Sequence, residues 1–386
     1  MLGLTSFGGP IAHLGYFRAE YVERRKWIDE RAYADLVALC QFLPGPASSQ
    51  VGIGIGMLRA GLLGGVMAWI GFTLPSAIVL VIFALTLRAF DVRDAGWLHG
   101  LHIVAVAVVA QAVWGMARSL APDRPRAIVA ILAAIAVLAV PTALAQVAVL
   151  LVAGLVGWRL LDSGDAADDG VRLYVPVPRW LMFAAWALFF GLLVALPVSR
   201  SFVQSQTLDV VDAFYRVGSL VFGGGHVVLP LIRAEVVPSG WVTPDAFIAG
   251  YGATQAMPGP LFTFAAYLGA MMRDAPSGVV GATVALLAIY LPSFLLMLGA
   301  LPLLDALRRR GAIQAALRGV NAGVVGILGA ALYTPVWTSA IGSGPQGGVA
   351  DVALALAAFG LLQVWRVPPW LVVVLTAAGG AGLAAL

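Results

Sequence analysis

The sequence predicts an all-α integral membrane protein of two inverted-topology repeats, each with Gly/Pro-broken helical hairpins and several full transmembrane helices. Three observations carry that expectation. Of 386 residues, 61% are hydrophobic and 11% charged, whereas a soluble domain is about half apolar and about a quarter charged. Several apolar runs reach about twenty residues, enough to cross a bilayer as helices. One phrase is written twice, about 215 residues apart, and both copies interrupt apolar sequence with Gly and Pro. A duplicated membrane unit broken at matching positions points to a transporter's substrate site.

The clearest spans are 62–87, 98–117 and 278–303. The run 128–161 is too long for one span, and Pro141 divides it. Runs 180–197, 313–332, 349–365 and 370–386 follow. The stretch after residue 161 holds four Asp and separates an N-terminal membrane repeat (1–161) from a C-terminal one (180–386), with 162–179 as polar linker. No basic stretch precedes a short apolar run and a cleavage site, so no cleavable signal peptide is expected. A lone cysteine, Cys40, excludes an internal disulfide framework. The pI near 9.5 reflects arginines beside apolar spans rather than a nucleic-acid partner.

With the Arg24-Arg25-Lys26 loop placed inside, alternating spans put seventeen basic residues inside and five outside, Arg216 unassigned. That asymmetry follows the positive-inside rule. It makes span 62–87 start inside and its repeat mate 278–303 start outside, so the halves are inverted. Inverted repeats are a known basis for alternating access.

The segments before these helices are shorter. Runs 32–43 and 48–58 flank Pro44-Gly45-Pro46, and 246–257 and 261–272 flank Pro258-Gly259-Pro260. Proline removes a backbone donor and glycine permits a tight reversal. Each reads as a helical hairpin entering and leaving on one side. Irregular backbone at membrane depth survives only when buried in protein or lining a wet cavity.

Copy one of the phrase is Gly3, Phe7-Gly8-Gly9-Pro10, Arg18-Ala19-Glu20, Trp27, Gln41 and the first Pro-Gly-Pro. Copy two is Gly218, Phe222-Gly223-Gly224-Gly225, Arg233-Ala234-Glu235, Trp241, Gln255 and the second. The set resembles the CHR chromate ion transporter family, in its long-chain form with two homologous halves. The resemblance is close over about 1–90 and 210–305. It implies a multi-pass protein of the cell inner (cytoplasmic) membrane that exports chromate, coupled to proton motive force and conferring chromate resistance; it leaves the ion open between chromate and sulfate or another oxyanion. His226 stands where copy one has Ile11, so the halves are not chemically equivalent.

A tetrahedral dianion inside a membrane needs donors and positive potential, and helix N-termini supply both. The residues after each Pro-Gly-Pro fit: Ser48 and Ser49 in copy one, Thr263 in copy two. The bland alternative is that Pro-Gly-Pro only bends the chain. Arg18 and Arg233 suit an oxyanion, or form structural pairs with Glu20 and Glu235. Those two carboxylates carry protons if buried. Gln41 and Gln255 either donate to substrate or cap broken backbone. The Phe-Gly-Gly glycines allow close approach or tight helix packing. His226 is a candidate for proton coupling near neutral pH, or a packing residue. His13 is the weaker candidate. His99 and His102 have i, i+3 spacing with no carboxylate or Cys expected nearby, and no metal or cofactor is expected.

Gly52–Gly56 lacks the strand context of a nucleotide loop, and no Walker A sequence occurs. The leading expectation is a secondary transporter and not an enzyme, with oxyanion and lipid as partners and a homodimer as a further expectation. A dianion leaving a negative interior gains about 4.6 kcal/mol at 100 mV, which favours export. The rivals are a proton-coupled sulfate importer, a membrane-embedded chromate reductase and an anion channel.

Overall fold

A computed structural model describes residues 2–6, 9–89, 96–140, 142–161, 177–221, 228–303, 311–338, 341 and 348–385. Their regular structure is helical, with no strand among the described residues. The first half holds α1 (Leu2–Thr5), α2 (Gly9–Phe17), a π-helical continuation (Arg18–Arg24), α3 (Glu30–Phe42), α4 (Ala47–Ala89), α5 (Gly96–Leu120), α6 (Arg124–Ala139) and α7 (Ala143–Leu160). The second holds α8 (Arg179–Arg200), α9 (Gln206–Leu220), α10 (Val228–Val236), α11 (Pro244–Gln255), a 3₁₀ turn (Leu261–Thr263), α12 (Phe264–Met271), α13 (Gly278–Ala300), α14 (Gly311–Ala331), α15 (Gly348–Gln363) and α16 (Pro369–Ala385). Phe7, Gly8, Pro141, Phe222–His226 and 162–176 lie outside the described residues.

Five helical segments are long and apolar enough to cross a membrane, in α4, α5, α8, α13 and α14. Their surroundings fit a multi-pass membrane protein. On α6 the face of Ile128, Ile131, Leu132, Ile135 and Leu138 is exposed, while Ala130, Ala133 and Val137 are buried. An apolar stripe facing outward opposite small residues facing inward reverses the soluble pattern and suits lipid. Helices then approach closely through glycine: Gly157 and Gly319 bring α7 onto α14, and Gly100 and Gly380 bring α5 onto α16.

The expected run 128–161 is two shorter helices. Asp123 caps α6 by accepting from Arg126 N–H at 3.0 Å, and Thr142 caps α7 by accepting from Ala145 N–H at 3.2 Å. Side-chain acceptors at both starts satisfy amides that a continuous helix would bond internally.

α4 is two helices joined at Ala60-Gly61, where Gly61 adopts φ 63°. The chain doubles back there, since Gly56 and Gly64 touch across the turn. Residues 47–59 are the second arm of a hairpin whose first arm is α3, and 62–89 then cross, about 42 Å at 1.5 Å per residue. The second half repeats this: α11 and α12 form the hairpin, Gly269 touches Gly281, and α13 crosses.

Each hairpin packs on the crossing helix of the other half. Cys40 and Gly54 of the first meet Met297 on α13. Tyr267 of the second stacks on Phe83 of α4, ring centroids 5.9 Å apart, and Arg88 donates to the Ala270 carbonyl at 2.8 Å. The first hairpin opens on a basic face, where Arg25 and Arg59 lie over the Trp27 ring at 4.9 and 5.5 Å. The second opens on the opposite face.

In a Cys40→Ser background, a cysteine replacing exposed Asp274 should react with an impermeant maleimide from outside intact cells. One replacing exposed Lys26 should react only after permeabilisation; labelling of both from one side would break the inversion.

Candidate functional site

Both Pro-Gly-Pro elbows lie inside the protein, with Gly45, Pro46, Gly259 and Pro260 buried and Pro44 and Pro258 partly so. The elbow glycines sit at φ 114° and 99°, a region L side chains rarely enter. Each elbow is bonded to the other half at a matching place. Gly45 N–H donates to the Val221 carbonyl at 2.6 Å, and Gly259 N–H donates to the Ser6 carbonyl at 2.8 Å. Val221 and Ser6 immediately precede the two Phe-Gly-Gly motifs.

The crossing helices add a second matched pair. A side chain on Gly45 would meet Ser293 Oγ at 2.9 Å, and one on Gly259 would meet Ser76 Oγ at 2.9 Å. Both serines follow a proline inside a long helix, Pro75 and Pro292.

Polar side chains link the two elbows. His13 Nε2 lies 3.1 Å from the Ser6 carbonyl, the acceptor of Gly259, so Nε2 carries the proton; Nδ1 is 3.4 Å from Ser48 Oγ. Ser49 Oγ is 3.5 Å from the hydroxyl of buried Tyr290. Gln50 Nε2 donates to the Pro44 carbonyl at 2.6 Å, and Thr263 Oγ1 to the Pro260 carbonyl at 2.7 Å. Ser6 Oγ, Gln50 Oε1 and Ser293 Oγ are buried with no partner among the described residues. The first-turn amides after each elbow point back at it, adding positive potential. This linked set contains no carboxylate, lysine or arginine.

The other predicted residues are placed elsewhere. Arg18 is exposed, bonded to Glu23 at 2.5 Å and Glu30 at 2.7 Å. Glu20 is held by Arg24 and by Arg25 at 2.6 Å. Arg24 first, then Arg25, hold its carboxyl down from 4.5 to about 2. Arg233 is half-buried and its Nε has no partner among the described residues; Glu235 meets Arg216 at 3.1 Å. Gln41 is exposed, whereas Gln255 is buried with Nε2 unpartnered among the described residues. Gly9 and Pro10 begin α2. Phe7, Gly8, Phe222, Gly223, Gly224, Gly225 and His226 lie outside the described residues.

A separate cleft of about 670 Å³ opens where α8 meets α9, lined by Arg200, Gln206, Asp209, Asp212 and Arg216 among others. Buried Asp212 accepts from Arg200 and Arg216 at 2.8 Å each. α9 runs from this cleft to Val221, the acceptor of the first elbow.

Sequence reasoning passed over Ser76, Ser293, Gln50 and Tyr290, and ranked His13 low. The signal was available for the serines: Leu-Pro-Ser occurs at 74–76 and again at 291–293, one in each half.

Compared with known proteins, the chain matches the family described as Chromate transporter over residues 1–158 and 208–383. It is 30% identical over 389 residues to the chromate transport protein of Pseudomonas aeruginosa, covering 98% of this chain and 89% of that one. It is 25% identical to the chromate transport protein of Cupriavidus metallidurans, covering 85% and 78%. An uncharacterized transporter of Bacillus subtilis is 34% identical over 175 residues, 45% of this chain and 85% of its own length. No solved structure matches.

Gly45→Ala and Gly259→Ala should each lower the unfolding temperature in detergent, since the new methyl meets both a disfavoured φ and a serine hydroxyl, together about 1–3 kcal/mol; unchanged melting in both would refute this. At the exposed network, a depressed carboxyl contributes stability above its ordinary 4.5 and loses it as pH falls to about 2. Melting of Glu20→Gln should therefore differ only slightly from wild type at pH 7, because exposed pairs are screened, and converge with it as pH approaches about 2.

Proposed function

The chain belongs to the chromate transporter family, and we propose that it exports chromate across the cytoplasmic membrane by alternating access of its two halves around the crossed elbows. One observation carries this reading: a buried polar centre, free of fixed charge among the described residues, where each elbow's glycine amide donates to a carbonyl of the opposite half. A dianion entering it meets hydroxyls, amides and two helix N-termini, and no carboxylate repels it. The Ser6 and Ser293 hydroxyls, buried with no partner among the described residues, are donors that an oxyanion can accept from.

The elbows also supply a switch. Gly45 and Gly259 amides are occupied by Val221 and Ser6 carbonyls. An oxyanion arriving at either elbow competes for that N–H and so loosens the bond between halves. Binding that breaks a contact between two rigid units shifts the equilibrium between their arrangements. The buried centre is then the closed member of a pair of states, opening in turn to each face.

Gly45, Ser48, Ser49 and Ser76 hold the ion from the first half; Gly259, Thr263 and Ser293 hold it from the second. Arg233 and Gln255 stand nearest in character to supporting groups, being buried or half-buried with unpartnered nitrogens. Arg18 and Glu20 instead brace the basic face. The membrane potential drives a dianion outward by about 4.6 kcal/mol at 100 mV, and proton motive force adds to that. Sulfate has the same shape and charge, so the centre admits it as competitor.

The test is chromate flux from proteoliposomes of the purified chain under an imposed potential. Flux should saturate, fall with added sulfate, and drop at least tenfold in a Ser48→Ala/Ser49→Ala double variant while Arg18→Ala stays within about twofold. Absence of chromate flux in wild type, or equal flux in the serine variant, defeats the reading.

A further inference from the structure

Two histidines one turn apart on α5 are each held by a distant part of the second half. His99 Nε2 lies 2.7 Å from Asp351 Oδ1, in the first turn of α15. The Asp351 side chain is 2% exposed and that of His99 14%. His102 Nε2–H donates to the Asp245 carbonyl at 3.1 Å, in the first turn of α11. That helix leads to Gln255 and the elbow at Gly259. Backbone packing keeps these parts together: Gly252 of α11 sits on the Leu101 carbonyl, and Gly100 sits on the Thr376 carbonyl of α16.

The oxyanion mechanism uses none of these groups. Ionisable residues in a membrane-spanning helix are costly and mark sites where charge or protons move. An imidazole hydrogen-bonded to a carboxylate carries −1 with neutral imidazole and 0 with imidazolium.

We propose that His99 and Asp351 form the proton-binding site of this transporter, coupled through α5 and α11 to the second elbow. The inference rests on the proton-linked oxyanion reading above. A proton from the aqueous phase at the face opposite Arg24-Arg25-Lys26 attaches to His99 Nδ1, while Nε2–H stays on Asp351. The pair passes from −1 to 0, and no other bond is made or broken. Its charge sets how tightly α15 is tied to α5, which carries α11 on the His102 and Leu101 contacts. Among the described residues, the titratable and charged groups on the elements packed nearby include His102 on the same helix, Asp245 on α11 and, at the end of α4, Arg88, which donates to the Ala270 carbonyl. α16 carries no charged side chain, and its Thr376 hydroxyl donates to the Val372 carbonyl at 2.7 Å. Asp91, Arg93 and Asp94, which precede α5, lie outside the described residues.

Two measurements on the full chain test this. In proteoliposomes clamped at zero potential, an acidic outer bath should speed net chromate efflux several-fold in wild type. Asp351→Asn and His99→Gln should lose that acceleration, Asp351→Glu should keep part of it, and chromate self-exchange at equal pH should stay within about twofold in all three. Retained acceleration in Asp351→Asn overturns the proposal, as does loss of self-exchange together with acceleration in all three variants, the signature of a packing role. A wild type that moves no chromate in either mode defeats the oxyanion reading instead. The site is then decided by NMR of labelled histidine rings in detergent. A ring signal that follows bulk pH between about 5 and 8 and is missing from His99→Gln supports it. The lack of such a signal overturns it.

Discussion

Two hydrogen bonds organise this molecule. Each Pro-Gly-Pro elbow leaves its glycine amide without a helical partner, and a buried amide must find one. Each finds it on the opposite repeat, at Val221 or Ser6. The consequences spread outward. The elbows must meet at one depth, so the hairpins must come from opposite faces. The crossing helices α4 and α13 must then lie beside the foreign hairpin, which puts Ser76 and Ser293 against the glycines. The polar centre is thus a by-product of satisfying two broken pieces of backbone in a medium that supplies no water.

Charge is distributed to match. The centre holds hydroxyls, an imidazole and amides, whereas ion pairs are kept away from it: Arg18, Glu20 and Glu23–Arg25 on the basic face, Arg200, Asp212 and Arg216 at the cleft of α8 and α9. In the proposed transport role, a fixed cation at the centre would slow release of a dianion, and a fixed carboxylate would repel it. Helix ends give intermediate attraction, since their partial charges come from backbone that cannot titrate.

Much of this was readable from residues alone, for a physical reason. Pro and Gly act locally, so Pro44-Gly45-Pro46 and Pro258-Gly259-Pro260 declare an elbow whatever surrounds them, and the arm lengths follow from the next break. Burial is a different matter. Arg18 and Arg233 match in the repeat, yet one is exposed among carboxylates and the other is half-buried; a shared position records common origin, not common surroundings. Gln41 and Gln255 diverge likewise. The His99–Asp351 pair joins residues 252 apart, a distance over which no spacing rule reaches. His13 looked isolated because its partners, Ser6 and Ser48, come together only when α2 folds against the second hairpin arm. The duplicated Leu-Pro-Ser was legible and lay in helices that hydropathy alone had already explained.

The exchange of acceptors between repeats also limits how such a chain can drift. Where Gln50 braces the first elbow, the second has Phe264, and where one half has His13, the other has Val228. Side chains are free to diverge because the frame they decorate is made of main chain, which no point mutation deletes. The glycines and the carbonyls facing them are inherited jointly: neither half's geometry survives a lasting change in the other, although the two need share little else.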